Sequence, residues 1–136
     1  MLPLRHVQLW RVLSATLLLC VLLAALAPTW WFDSRAQALS WFESADKWLH
    51  AVTFLGLSLW FAGLFARPAW WRVAAGLMLF GIAIEGCQLM IGYRMADWVD
   101  IGANTLGILL GLALASAGLG GWGLRFEEWY ARPRKH

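Results

Sequence analysis

Polar and ionisable side chains interrupt the apolar stretches of this sequence at a few places. They fall into three groups along the chain, Asp46, Lys47 and His50, then Glu85 and Gln88, then Arg94, Asp97, Asp100 and Asn104. Imidazole and carboxyl groups can act as general acids or bases, and carboxylate oxygens are ligands that Mg²⁺ accepts. If the fold brings the three groups together, the sequence predicts a polar site for binding or acid–base chemistry.

Glu85 is the member of this set that is hardest to explain as a structural residue. It lies six residues before Ile91, roughly 9 Å along a helix that rises 1.5 Å per residue. An ionisable residue deep in a membrane span costs about 2.5–3.5 kcal/mol, so we expect it to be paired, protonated or open to water. The other acids have simpler explanations, since Asp46 complements a helix dipole and Asp97 can cap the following helix.

The composition that surrounds these residues is that of a membrane protein. Of the 136 residues, 61% are hydrophobic and only 14% are charged, and the mean hydropathy is +0.61. Soluble domains carry about a quarter charged residues. The net charge of +3 comes from residues beside apolar segments, which favours contact with anionic headgroups and argues against nucleic acid.

Four apolar segments are long enough to cross a bilayer. They cover about 9–27, 48–65, 70–91 and 99–119. Pro28 disfavours cleavage after the first segment, so we expect that segment to be retained. These lengths predict an all-α polytopic membrane protein, a bundle of four transmembrane helices with short loops that forms one domain over 1–136.

Two further patterns concern how the predicted helices pack. Gly107 and Gly111 form a GxxxG pair, which is typical of a helix-packing face. In the segment 124–131, Phe126, Trp129 and Tyr130 follow the spacing i, i+3 and i+4. One apolar side of a short helix would then lie on the membrane surface.

The distribution of basic residues predicts the orientation. Eight of the eleven Lys and Arg residues lie at the amino terminus up to the first turn of the first segment, around the connection between the second and third segments, or after the fourth. The positive-inside rule then places both termini in the cytoplasm. With that topology all three polar groups reach one depth at the outer face.

The polar residues also carry a family resemblance. The chain contains D-K-x-x-H at 46–50, E-x-x-Q at 85–88 and R-x-x-D-x-x-D-x-x-x-N-x-x-G at 94–107, in that order. With Gly111, this series resembles the VanZ-like family of membrane proteins over residues 46–113. The resemblance implies a multi-pass protein of the bacterial cytoplasmic (inner) membrane with a role in the cell envelope. The family's namesake is associated with resistance to the glycopeptide teicoplanin, and no settled biochemical activity attaches to the family.

The first functional hypothesis is a binding site for a membrane lipid or a cell-wall precursor, such as a polyprenyl-linked molecule, at the outer leaflet. The four acids against Lys47 and Arg94 leave a charge of −2. A cationic or hydroxyl-rich ligand therefore suits the site better than a bare phosphate, unless a divalent cation bridges the phosphate.

Three alternatives stay open on the sequence alone, and one of them is a transporter, which with four spans would need to form an oligomer. In an intramembrane enzyme, His50 or Glu85 would act as general acid or base, and Asp97 with Asp100 could hold Mg²⁺. In a structural protein, the polar residues would lock the helices together, and Gly107 with Gly111 could pack a homo-oligomer or another partner. The sequence assigns no catalytic residue and no cofactor beyond a divalent cation.

Overall fold

The protein is all-helical in the computed structural model, as the apolar segments predict. The structure describes residues 1–27, 41–91 and 98–131, with side chains for 47–90 within the middle range. The α-helices of these ranges are α1 Val7–Ala25, α2 Trp41–Leu64, α3 Trp70–Ile91, α4 Trp98–Leu114 and α5 Trp122–Tyr130. A 3₁₀ turn, Arg67–Ala69, leads into α3, and a π-helical turn, Ala115–Leu119, follows α4.

Three of the helical segments are long and apolar enough to cross a membrane by length and composition. They are Val7–Ala25, Arg67–Met90 and Trp98–Leu119. The other predicted span, 48–65, lies mostly within α2, a helix of 24 residues. The first ten residues of α2 include Glu43, Asp46, Lys47 and His50, which lower its hydropathy. A fourth crossing by α2 therefore stays a prediction.

The outer surface of the bundle is apolar. Large hydrophobic side chains are exposed on every long helix, among them Val12 and Leu23 on α1, Val52 on α2, Leu79 on α3 and Leu109 on α4. Soluble monomers rarely expose contiguous apolar patches larger than a few hundred Å². These faces fit a lipid environment, and with the apolar helices they identify a helical membrane bundle.

The chain ends meet at one end of this bundle. The backbone N–H of Leu2 donates to the carbonyl of Leu64 at 2.9 Å, and the N–H of Gly121 donates to the carbonyl of Ala62 at 3.1 Å. The end of α2 thus contacts both the amino-terminal segment and the start of α5. The start of α2, the end of α3 and the start of α4 lie at the opposite end.

The closest helix contact is between α2 and α4. A Cβ at Gly107 would overlap the carbonyl oxygen of Ala51, and one at Gly111 would overlap Ser58 Oγ. The Ser58 hydroxyl donates to the carbonyl of Ile108 at 3.1 Å. Small residues let membrane helices approach until backbone and side chains bond across the interface, and this approach fixes the register of α2 against α4.

Glu127 joins the two terminal segments at the other end. Its carboxylate accepts hydrogen bonds from the backbone N–H groups of Arg5 at 2.6 Å and His6 at 3.0 Å, and from Trp10 Nε1 at 2.8 Å. The side chain is buried although α5 is a short surface helix. Glu127 therefore satisfies backbone donors at the start of α1, where helix N–H groups have no partner within the helix.

Three tryptophans pack beside Glu127. The ring of Trp10 lies 5.8 Å from that of Trp60 and 5.6 Å from that of Trp122, both in edge-on contact. On α5, the side chains of Phe126, Trp129 and Tyr130 are exposed. Their placement leaves them available to a membrane surface, and the interfacial position of this segment stays a prediction.

Candidate functional site

One residue from each of three helices meets in a buried cluster. His50 on α2, Glu85 on α3 and Asp100 on α4 each offer a ligand atom, and the three atoms lie within 4.8 Å of one another. None of the three side chains is more than 8% exposed. We call these three residues the His–Glu–Asp cluster. It brings a nitrogen base and two carboxyl groups together inside an otherwise apolar bundle.

The helix arrangement explains why these three positions coincide. His50 lies in the first half of α2, Glu85 in the last two turns of α3 and Asp100 in the first turn of α4. Since successive helices run in alternate directions, these stretches share one end of the bundle. Asp100 there complements the positive end of the α4 dipole, whereas the dipole of α3 disfavours a carboxylate at Glu85. The placement of Glu85 is therefore not explained by helix stability.

Asn104 orients the imidazole of this cluster. Its Oδ1 lies 3.1 Å from His50 Nδ1, so an N–H on Nδ1 donates to that oxygen, and in the neutral imidazole Nε2 carries the lone pair. Asn104 is 2% exposed, and its Nδ2 has no hydrogen-bond partner among the described residues. Gly81 on α3 makes room for this amide, because a Cβ at Gly81 would come within 2.9 Å of Nδ2.

Gln88 lies one turn beyond Glu85 on α3 and contacts a different element. Its Nε2 donates to the carbonyl oxygen of Ala25 at 2.9 Å. The last carbonyls of a helix have no partner within it, and Gln88 supplies one to the end of α1. The side chain thus ties α1 to the three helices that hold the cluster, so α1 reaches the polar end as well.

The remaining predicted site residues are placed less fully. Lys47 lies one turn before His50 on α2 and is half-buried. Arg94, Asp97 and the side chain of Asp46 lie outside the described residues, and so does the predicted pairing of Asp97 with Asp100 around a metal.

Exposed aromatic and apolar side chains surround the cluster end of the bundle. Trp48 and Leu49 on α2, Met90 on α3, and Trp98 and Val99 on α4 are all exposed. Tryptophan is enriched where a membrane meets water. Their exposure leaves these residues available to a membrane–water interface, and the depth of the cluster in the membrane stays a prediction.

A comparison with protein-family models shows which family this chain belongs to. The family model described as VanZ/LLP1 matches residues 5–119. The chain belongs to the VanZ/LLP1 family. Searches of the curated proteins and of the solved structures gave no match. The match extends beyond the motif-bearing residues 46–113 and includes α1.

Each VanZ-like motif contributes to the same end of the structure. D-K-x-x-H supplies His50, E-x-x-Q supplies Glu85, and the third motif supplies Asp100 and Asn104. Sequence reasoning missed Gly81 and the carbonyl of Ala25, because neither position has a motif of its own. The roles of Gly81 and of the Ala25 carbonyl become visible only in the packing of α3 against α4 and α1.

The Gln88 contact leads to a prediction about α1 in this VanZ/LLP1 protein. In Gln88→Leu the carbonyl of Ala25 loses its donor, which costs about 1 kcal/mol for a neutral hydrogen bond. Opening of the last turn of α1 should then become about five-fold more frequent. Amide hydrogen exchange at Leu26 and Ala27, whose N–H groups bond to Leu22 and Ala24, would measure this change.

The exposed neighbour Met90 provides the control for that prediction. Met90→Leu changes the same end of α3 without touching α1 and should leave exchange at Leu26 and Ala27 unchanged. Equal exchange in Gln88→Leu and in the wild type would mean that the hydrogen bond to Ala25 does not hold α1.

Proposed function

We propose that this VanZ/LLP1 protein binds the polar part of an envelope lipid or of a lipid-linked cell-wall precursor at the His–Glu–Asp cluster. The observation that carries the proposal is the burial of three ionisable side chains, from three helices, in one apolar bundle. Ionisable residues inside membrane helices are costly and usually serve function. A purely structural contact between helices needs no imidazole and two carboxyl groups at one point.

The charge of the cluster determines which ligand chemistry suits it. Glu85 and Asp100 bring two carboxyl groups, and Lys47 one turn away from His50 supplies a positive charge. Ammonium and hydroxyl groups donate to carboxylates and so suit this site. A bare phosphate is repelled unless a cation neutralises the carboxylates.

The orientation proposed from the sequence puts this site at the outer leaflet of the bacterial cytoplasmic membrane. Both terminal segments lie at the end opposite the cluster, and the excess of Lys and Arg at that end favours a cytoplasmic location. A ligand of the outer leaflet fits an envelope role. It also offers a route to the glycopeptide resistance that is associated with the family's namesake.

Native mass spectrometry of the full chain tests the binding proposal. The wild type would be released from detergent in the presence of phosphatidylethanolamine, phosphatidylglycerol or undecaprenyl phosphate, each with and without Mg²⁺ or Zn²⁺. We expect a selective adduct with one of these lipids and its loss, by at least ten-fold in occupancy, in Glu85→Gln and in His50→Gln.

Glu127→Gln is the matched control, because it neutralises a buried carboxylate at the opposite end of the bundle. It should retain the adduct even though it destabilises the fold. An adduct that survives in Glu85→Gln and His50→Gln, or one lost equally in Glu127→Gln, would show that the cluster is not the binding site.

A second function, intramembrane acid–base catalysis, is favoured by the geometry of His50. With Nδ1 bound to Asn104, Nε2 is the nitrogen that can accept a proton, as in an oriented general base. Turnover of an envelope lipid by the purified chain, abolished in His50→Gln and in Glu85→Gln, would support this function. Binding without turnover would leave the protein a binding module.

A further inference from the structure

We infer that the His–Glu–Asp cluster holds a divalent transition-metal ion, of the Zn²⁺ or Mn²⁺ class, through His50, Glu85 and Asp100. This differs from the pair of aspartates, Asp97 and Asp100, that the sequence suggested for Mg²⁺. The ion is placed in the site proposed above. The idea that the ion helps to bind a phosphate group rests on the proposed function. The binding of the ion does not depend on that function.

The donor atoms have the types and the proximity that such an ion requires. Zn²⁺ takes His nitrogen at about 2.0–2.1 Å and carboxylate oxygen at about 2.0–2.2 Å, so tetrahedral ligands stand roughly 3.4 Å apart. The three ligand atoms lie within 4.8 Å of one another. The spacing therefore exceeds that of a bound ion by about 1.4 Å at most.

The environment of His50 is the one found around metal-bound histidines. A ligating imidazole usually donates its other N–H to a carbonyl or carboxylate oxygen, which fixes the ring and its tautomer. Asn104 Oδ1 provides that acceptor at 3.1 Å from Nδ1. With Nδ1 bound to Asn104, the neutral imidazole of His50 would ligate the ion through Nε2.

Asn104 adds a second and independent observation. Its Nδ2 is buried with no hydrogen-bond partner among the described residues, beside a glycine that leaves room for it. Buried polar groups normally have partners. A donor of this kind is what a metal-bound water, or an oxygen of a ligand held by the ion, would use as a hydrogen-bond partner.

The mixture of ligands indicates which ion would be preferred. Carboxylates alone suit Mg²⁺ and Ca²⁺, whereas imidazole suits Zn²⁺ and other transition metals. Three protein ligands leave a coordination position open, as in catalytic zinc sites. An ion there neutralises the two carboxylates and attracts phosphate, so a phospholipid or polyprenyl phosphate becomes an acceptable ligand. Without the ion, the two carboxylates repel a phosphate group.

The test measures metal binding by the full chain without any added lipid. The tag-free protein, carrying Cys20→Ser and Cys87→Ser to remove thiol ligands, would be stripped with a chelator and titrated with Zn²⁺, Mn²⁺ or Mg²⁺. We expect one Zn²⁺ or Mn²⁺ per chain, held at least ten-fold more tightly than Mg²⁺. Glu85→Gln, Asp100→Asn and His50→Gln should each weaken binding by roughly 100-fold or more. Asn104→Ala, which removes no metal ligand but removes the partner of His50, should weaken it by about 10–100-fold.

X-ray absorption spectroscopy of the zinc-loaded chain identifies the ligands directly. The wild type should give a nitrogen and oxygen shell with the scattering of one imidazole, and His50→Gln should lose the imidazole signal. Glu128→Gln and His6→Gln, which change groups outside the cluster, should bind as the wild type does. Size-exclusion chromatography and circular dichroism would establish that each variant is folded before titration.

The inference is overturned if the folded cluster variants keep their zinc, if His6→Gln loses it, or if the wild type retains no ion. Lipid adducts are scored separately. Lipid binding without an ion would overturn the metal site and leave the proposed function standing. An ion without any lipid adduct would support the metal site and count against the proposed function.

Discussion

Replacing Gly107 with alanine should lower the free energy of unfolding by about 3 kcal/mol, the upper part of the range for overpacked positions. A Cβ at this position would overlap the carbonyl oxygen of Ala51 and lie 3.0 Å from Leu55 N, both backbone atoms of α2. Backbone cannot rotate away as a side chain can, so α2 and α4 must separate. Gly111→Ala should act similarly, since its Cβ would meet Leu55 O at 2.6 Å as well as the Ser58 hydroxyl.

The same substitution at Gly102 provides the matched control on α4. A Cβ there meets no atom within 4 Å, so Gly102→Ala should be neutral or stabilise the helix by up to about 1 kcal/mol. Unfolding in detergent would be followed by circular dichroism during denaturant titration. Similar effects at Gly102 and Gly107 would mean that α4 does not pack closely on α2.

Gly107 and Gly111 show how far the sequence predicts the fold. Long apolar segments predict helices because an isolated backbone in lipid must satisfy its own hydrogen bonds, and the bounds of α1, α3 and α4 follow them closely. The i, i+4 spacing of Gly107 and Gly111 indicates a packing face. It does not name the partner, which depends on the rotation of both helices about their axes. Only the structure shows that this partner is α2.

The sequence predicts the site to a similar extent. Helices that alternate in direction bring the start of α2, the end of α3 and the start of α4 to one end, so the convergence of His50, Glu85 and Asp100 follows from topology. Which side chains turn inward does not follow. Gln88, one turn from Glu85, bonds to α1 instead. Gln88 and Glu85 point in somewhat different directions around the axis of α3, so they face different helices. The spacing of the two residues in the sequence does not show which helix each one faces.

Glu127 was not predicted at all, and the reason is physical. A glutamate on a short amphipathic helix is normally solvated, and the sequence offers no sign of its partners. Those partners, the N–H groups of Arg5 and His6, are 122 and 121 residues away along the chain. A contact of this kind depends on both termini reaching the same end of the bundle.

Neutralising Glu127 should strongly destabilise the fold, although this residue lies outside the hydrophobic core. In Glu127→Gln, the amide cannot accept from Arg5, His6 and Trp10 with the strength of a carboxylate. Hydrogen bonds to charged groups each contribute about 1.5–3 kcal/mol, and the amide oxygen retains part of this. We therefore expect the free energy of unfolding to fall by about 2–4 kcal/mol.

Exposed Glu128, the neighbour of Glu127 on α5, is the control. Glu128→Gln should change the free energy of unfolding by less than about 0.5 kcal/mol.

The contribution of Glu127 should also depend on pH with a defined sign. Burial alone would raise the pKa of its carboxyl group, but the hydrogen bonds from Arg5, Trp10 and His6, with the nearby His6 charge, lower the pKa below its ordinary value of 4.5. A carboxyl group whose pKa is lower in the folded state stabilises the fold above the unfolded pKa and loses this effect as the pH falls through the folded one. Wild type and Glu127→Gln should therefore differ in melting temperature at pH 7, and the difference should disappear as the pH falls from 4.5 through the lower pKa of the folded state. A difference that persists unchanged at acid pH would assign the effect of Glu127 to packing and not to its charge.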